Sequence, residues 1–318
     1  MKPIFSIIIP VYNRPEEIDD LLASISAQEY DEPFEVCIVE DGSSEKSDLI
    51  INKYTSELSI QYFETENTGP GSSRNYGMTK ATGNYFIILD SDVILPYNYL
   101  AEITKQLEKK YTDAFGGPDA AHPSFSILQK AINYSMTSFL TTGGIRGKKK
   151  SVGKFQPRSF NMGLSQKAFD ITKGFSDMRA GEDIDLSFRL WEQGLETQLI
   201  DAAYVYHKRR NSFSGFFQQT FAFGAVRPKL NRMYPETVKL TYWFPCIFII
   251  GFDISILLVI LGFNQLLYFY GVYFLLIFLD SLFQNKNVRV AFLSIVTSFT
   301  QFLGYGLGFL ESQFISKK

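Results

Sequence analysis

The last third of the chain carries three apolar blocks, at residues 244–263, 266–283 and 290–309. Each reaches the ~20 mostly apolar residues that a membrane-crossing helix needs. Only Asn264 and Gln265 separate the first two, so these form a tight helical hairpin. Asp253 and Asp280 interrupt them, so neither is a purely lipid-facing helix. The third block holds Ser298, Thr300 and Gln301, then Gly304, Gly306 and Gly308. It spans, packs through small residues, or lies in the interface. Lys229, Arg232 and Lys239 precede the first block, Lys286 and Arg289 follow the second, and the hairpin tip is uncharged. The positive-inside rule places both basic regions, with the front of the chain, on the cytoplasmic side. The expectation is a multi-pass protein of the cytoplasmic (inner) membrane, with its front domain facing the cytoplasm.

Charge divides in the same way. Residues 1–206 hold 20 basic and 29 acidic residues, whereas 207–318 hold 11 and 4. An acidic front without a basic stripe argues against nucleic acid as a partner. The basic rear suits an anionic lipid face. Cys37 and Cys246 stand too far apart in sequence to suggest a disulfide framework or a cysteine-based zinc site. Residues 4–11 are too short an apolar run, and lack the cleavage site, for a signal peptide.

The front alternates strand and helix. Strands are expected at 5–9 (bounded by Pro10), 34–39, 60–63 and 85–89. Helices are expected from Pro15 and around 47–57 and 72–81. Ile18, Leu21, Leu22 and Ile25 form one apolar helical face. A later helix starts at Glu182 and stops near Gly194, and a short strand at 202–206 ends just before His207. Residues 141–155 are a connecting loop, either solvated or gating an acceptor or phosphate. This pattern describes an α/β fold, a mostly parallel sheet flanked by helices, followed by C-terminal transmembrane helices. The domains expected are 1–212, a juxtamembrane interfacial segment at 213–241, and membrane helices at 242–318. In such sheets the ligand crevice lies beyond the carboxyl ends of the strands.

The polar clusters fall there. Asp90 and Asp92 follow the fourth strand, and two carboxylates at i and i+2 suit Mg²⁺ or Mn²⁺ shared with a diphosphate. Asp41, in Glu40-Asp41-Gly42-Ser43, is either a turn residue or an acceptor for a nucleobase or ribose. Pro10, Tyr12 and Asn13 end the first strand and offer an aromatic surface for a base. Gly71, Arg74 and Asn75 open a helix whose amides can face phosphate. Glu182 and Asp183 begin the later helix, as dipole complements or as a general base. His207 is a packed residue or a neutral-imidazole metal ligand.

In this order and spacing, the pieces from residue 4 to residue 214 resemble the family-2 glycosyltransferases of the GT-A fold. The resemblance implies an inverting, metal-dependent transfer of sugar from a nucleoside-diphosphate sugar to a hydroxyl of a lipid-linked or other glycan acceptor. It implies that Tyr12 and Asp41 hold the base, that Arg74 lies near the nucleotide, and that Asp90 serves both ribose and metal. Asp92 becomes the principal metal carboxylate, His207 the late metal ligand and Asp183 the catalytic base. The Gln-x-x-Arg-Trp motif of processive synthases is missing around Arg189-Leu190-Trp191, which implies non-processive transfer. Two alternatives stay open: transfer to polyprenyl phosphate itself, and a non-catalytic, membrane-tethered nucleotide-sugar binder.

Overall fold

The computed structural model describes residues 2–143 and 154–315. Residues 144–153 of the expected connecting loop lie outside that range. The chain forms two compact units: 2–122 with 154–208, and 123–143 with 209–315.

The first unit begins β1 (Phe5–Val11), α1 (Pro15–Ser26), β2 (Glu35–Asp41), α2 (Asp48–Ile51), β3 (Ile60–Thr65) and α3 (Pro70–Lys80). It continues through β4 (Tyr85–Leu89), β5 (Val93–Ile94), α4 (Tyr99–Lys109), β6 (Ala114–Gly116) and β7 (Asp119–Ala120). The second unit takes α5 (Ile127–Thr137) and α6 (Phe139–Thr142). The first resumes with β8 (Asn161–Ser165), α7 (Gln166–Thr172), α8 (Glu182–Glu192), β9 (Thr197–Leu199) and β10 (Val205–His207).

Seven strands form one sheet in the order β3, β2, β1, β4, β8, β6, β9, and β8 alone runs against its neighbours. The strands are apolar on both faces because helices cover both. Ile7, Ile9 and Ile38 pack with α1 on one side. Ile8, Cys37 and Ile88 pack with Met78, Leu186 and Leu190 on the other. Burial, and then the charge of Glu35, push the Cys37 thiol up to about 12, so it stays protonated and unreactive.

Several local expectations change: β2 runs on to Asp41 and β3 to Thr65, each two residues past its expected end. Strand β1 runs through Pro10 to Val11 instead of stopping at Ile9. Its register with β4 ends at Ile8, so the missing amide of Pro10 faces no strand on that side. Helix α2 is four residues long, and turns occupy 52–57. The last strand includes His207, because it pairs antiparallel with β5 at His207↔Val93.

The second unit continues with α9 (Phe213–Met233), α10 (Phe244–Ile260), α11 (Gln265–Asn285) and α12 (Val288–Leu310). Residues 123–143, which the sequence pattern kept with the front domain, belong here. Ser135 Oγ lies 2.6 Å from Thr297 Oγ1 and 3.1 Å from Ser298 Oγ, while Ile132 and Met136 pack with Phe216. Three helices of this unit are long and apolar enough to cross a membrane.

Candidate active site

The carboxyl ends of β1, β2 and β4 place their polar residues at one edge of the sheet. At β1, Tyr12 stands half exposed. Asn13 takes a left-handed conformation (φ 51°) and staples two loops together. Its Oδ1 accepts from the amides of Ser44 at 2.8 Å and Glu45 at 3.0 Å. At β2, the buried Asp41 accepts from the amides of Thr68 (2.8 Å) and Gly69 (3.0 Å), which fixes the entry to α3. Gly42 is required beside it: φ is +70°, and a Cβ there would lie 2.6 Å from the Asn67 amide nitrogen.

At β4 the chain turns through Asp90, Ser91 and Asp92 into β5. Pairing of β5 with β10, together with the bond from Lys208 N to Asp92 O at 2.9 Å, sets His207 beside Asp92. Ligand atoms of Asp90, Asp92 and His207 all lie within 4.8 Å of one another. Nε2 of His207 is 3.3 Å from Asp92 Oδ1, and Nδ1 is 3.6 Å from Asp119 Oδ2. The Phe160 ring stacks on the imidazole at 4.9 Å. Two carboxylates and an imidazole whose other nitrogen faces a carboxylate form a donor set that fits Mg²⁺ or Mn²⁺. Burial would raise the Asp92 carboxyl, but His207 and then Arg14 hold it well below the usual carboxylate range.

Arg14 is a residue that motif reading missed. Its Nη1 is 2.5 Å from Asp92 Oδ2. The signal available was a cation directly after the Tyr12-Asn13 pair, at the same strand end as the acids. Asp119 and Arg158 were also missed, and nothing local marks either one.

Arg74 is the central strut. It is 3% exposed, with Nη2 2.7 Å from Asp90 Oδ1 and Nη1 2.9 Å from Glu182 Oε1. Its guanidinium lies 5.2 Å from the Phe175 ring centroid. Asn75 fixes that same loop, donating from Nδ2 to Phe175 O and accepting from Phe175 N, both at 2.8 Å. Gly71 packs there as well: a Cβ would come within 3.2 Å of Ser176 O and 3.3 Å of Phe175 Cβ. One guanidinium therefore ties the end of β4 to the first turn of α8.

Helix α8 starts from Gly181 at φ +77°, with Glu182, Asp183 and Asp185 in its first turn. Asp183 Oδ2 is 3.7 Å from Arg158 Nη1, and its Oδ1 accepts from the Ile184 amide at 2.8 Å. Glu182 is pushed up to about 7, by burial first and the charge of Asp183 second, against the opposing pull of Arg74. Its ordinary value is 4.5, so between these limits the folded chain binds this proton more tightly than the unfolded chain. The stabilisation is complete below about pH 4.5 and is lost as pH rises through about 7. Glu182→Gln should accordingly flatten the fall in melting temperature between about pH 5 and about pH 8. An unchanged slope in a thermal scan series contradicts the assignment.

Residues 6–170 match the family described as Glycosyl transferase family 2. The chain belongs to glycosyl transferase family 2. An uncharacterized glycosyltransferase of Rickettsia bellii is 39% identical over 104 residues, 33% of this chain and 15% of the relative. The poly(ribitol-phosphate) beta-N-acetylglucosaminyltransferase TarS of Staphylococcus aureus is 31% identical over 112 residues, 34% of this chain and 20% of its own length. The chain thus matches only a minor part of these longer relatives. The mannosyltransferase PcManGT of Pyrobaculum calidifontis, solved with GDP-Man and Mn²⁺, shares the fold. Its TM-score is 0.62 at 15% identity, with 100% of this chain and 89% of that one covered. The expected GT-A-like sheet and family membership both hold for this family-2 chain.

Proposed function

We propose that this protein is an inverting, non-processive glycosyltransferase. It moves a sugar from a nucleoside-diphosphate sugar to a hydroxyl of a lipid-linked glycan at the cytoplasmic face of a membrane. The observation that carries the reading is the convergence of Asp90, Asp92 and His207 at the strand ends, tied through Arg74 to the acids of α8. Asp90, Asp92 and His207 would hold one divalent cation, which when bound neutralises charge on the departing diphosphate. Tyr12 offers an aromatic face to the base. Asp41 keeps the neighbouring loop in place and adds an acceptor for the base or ribose. Arg74 acts as a positioning residue, keeping Asp90 and the start of α8 at a fixed separation.

Asp183 takes the proton of the acceptor hydroxyl as its oxygen bonds to the anomeric carbon. The bond from that carbon to the diphosphate oxygen breaks on the opposite face, so the configuration inverts. Arg158 orients the Asp183 carboxylate. The membrane-held acceptor is supported by the apolar second unit, since holding enzyme and acceptor on one surface raises their effective concentration.

Incubating the protein with UDP- and GDP-sugars, Mn²⁺ and a lipid extract tests this reading. Release of nucleoside diphosphate, with the product of opposite anomeric configuration, is the expected result. A retained configuration contradicts the single displacement.

A further inference from the structure

Arg14 stands beside the proposed cation site as a charge of the same sign. Its backbone is fixed from both sides. The Arg14 carbonyl accepts from the Ile18 amide at 3.1 Å, and Pro15 opens α1 directly after it. On the other side, Asn13 donates its amide to Ser43 Oγ at 2.8 Å and holds Ser44 and Glu45 through Oδ1. From this anchored root the guanidinium reaches across the strand ends to Asp92. Among the described residues, Asp92 is its only hydrogen-bond and ion-pair partner. Asp90 and Glu17 act on it through space, and 28% of the side chain stays exposed.

The other two arginines of the site are placed differently. Arg74 also touches the cation set, at Asp90, but it is committed to Glu182 as well and is closed off from a ligand. Arg158 faces Asp183, the proposed base. Arg14 therefore has a carboxylate of the cation set as its single tie and an open side toward solvent.

That position is unfavourable for a cation alone. An ion held by Asp90, Asp92 and His207 meets the guanidinium as a like charge and competes with it for Asp92. The conflict disappears when an anion lies between them. A diphosphate is such an anion, and residues already placed bound its course. Tyr12 offers its face to the base and Asp92 holds the ion, so the diphosphate runs from one toward the other. Arg14 lies two residues along the chain from Tyr12 and already touches Asp92. As the bond to the anomeric carbon breaks, the departing diphosphate gains a negative charge. A guanidinium beside it meets that charge as it develops. Arginine suits this task, because its planar fork bonds two phosphate oxygens at once.

We propose that Arg14 is a catalytic residue that leaves Asp92 to the cation and bonds the diphosphate of the donor and of the leaving group. This role rests on the cation reading proposed above. It has a consequence for binding order: Arg14 opposes the ion alone but joins it through the diphosphate, so it strengthens the coupling between the two ligands.

The test uses the full chain in detergent, with Mn²⁺ followed by electron paramagnetic resonance and UDP or GDP by calorimetry. In Arg14→Gln, Mn²⁺ on its own should bind at least as tightly as in wild type, because a competing charge is gone and no carboxylate is lost. UDP or GDP in saturating Mn²⁺ should bind roughly 10–100-fold more weakly, the range for losing hydrogen bonds from a charged group. Arg14→Lys keeps the charge without the fork, so its diphosphate affinity should fall between the two. If Arg14→Gln does not fold, Arg14→Lys carries the test through weaker diphosphate binding at unchanged Mn²⁺ binding. A merely structural role, in which Arg14 holds Asp92 in place, gives the opposite sign for the ion. Weaker binding of Mn²⁺ alone in Arg14→Gln therefore overturns the proposal, and so does diphosphate affinity equal to wild type. If wild type binds UDP and GDP equally well in Mn²⁺ and in chelator, the cation reading fails. The ratio of wild type to Arg14→Gln in chelator then still decides whether Arg14 meets the diphosphate.

Discussion

Asp183→Asn is expected to lower turnover by roughly 10²–10⁴ while leaving donor affinity nearly unchanged. The amide is close in size to the carboxylate and keeps an oxygen for the Ile184 amide, but it cannot accept the acceptor proton. The loss should fall on kcat, since Asp90, Asp92 and His207 are untouched. The comparison also separates two acceptors. A hydroxyl must lose its proton during attack, whereas a polyprenyl phosphate is already an anion and needs little base. Turnover equal to wild type with a hydroxyl acceptor removes Asp183 from the mechanism. Loss with a hydroxyl acceptor but not with polyprenyl phosphate would confirm the role of the base directly.

Arg74→Met should strongly destabilise the catalytic unit. The guanidinium is buried between Asp90 and Glu182, and its removal leaves both without their shared cation. Breaking a buried pair in this way costs about 3–5 kcal/mol. For a unit of this size that is a fall of roughly 6–20 °C in melting temperature. Arg74→Lys should recover only part of the loss, because a single ammonium cannot bridge two carboxylates as a planar fork does. A thermal scan showing Arg74→Met within a degree or two of wild type would contradict the strut. Activity supplies the second readout. If the strut positions Asp90, the Lys variant should bind the cation more weakly than wild type even at temperatures where it is folded.

The sheet was legible because its strands are short, apolar and β-branched between helical repeats. Tyr85–Leu89 was read to its exact limits, since an apolar run ending abruptly in Asp-Ser-Asp leaves no choice of boundary. The acids and His207 were legible for a related reason: residue type and position at a strand end together restrict what a side chain meets. Their counter-charges were not. Arg14 and Arg158 reach Asp92 and Asp183 across 78 and 25 residues of sequence, and only the folded sheet brings each pair together. The ends of β1 and β10 were misjudged because they depend on which neighbouring strand is present at that level. Hydropathy also failed to separate burial in lipid from burial in protein. Thr297 and Ser298 sit in the third apolar block, yet both are fully buried against Ser135 of α5. The attachment of 123–143 to the second unit follows from these same polar contacts, which no periodicity announces.

The central claim is that the strand-end acids and His207 bind a nucleoside-diphosphate sugar through a divalent cation. Calorimetric titration of UDP- and GDP-sugars into the full chain, in Mn²⁺ and again in excess chelator, tests it most directly. The account predicts binding of at least one donor in Mn²⁺, loss of that binding in chelator, and the same loss in Asp92→Ala with Mn²⁺ present. Donor binding of equal strength in chelator and in Asp92→Ala would contradict it.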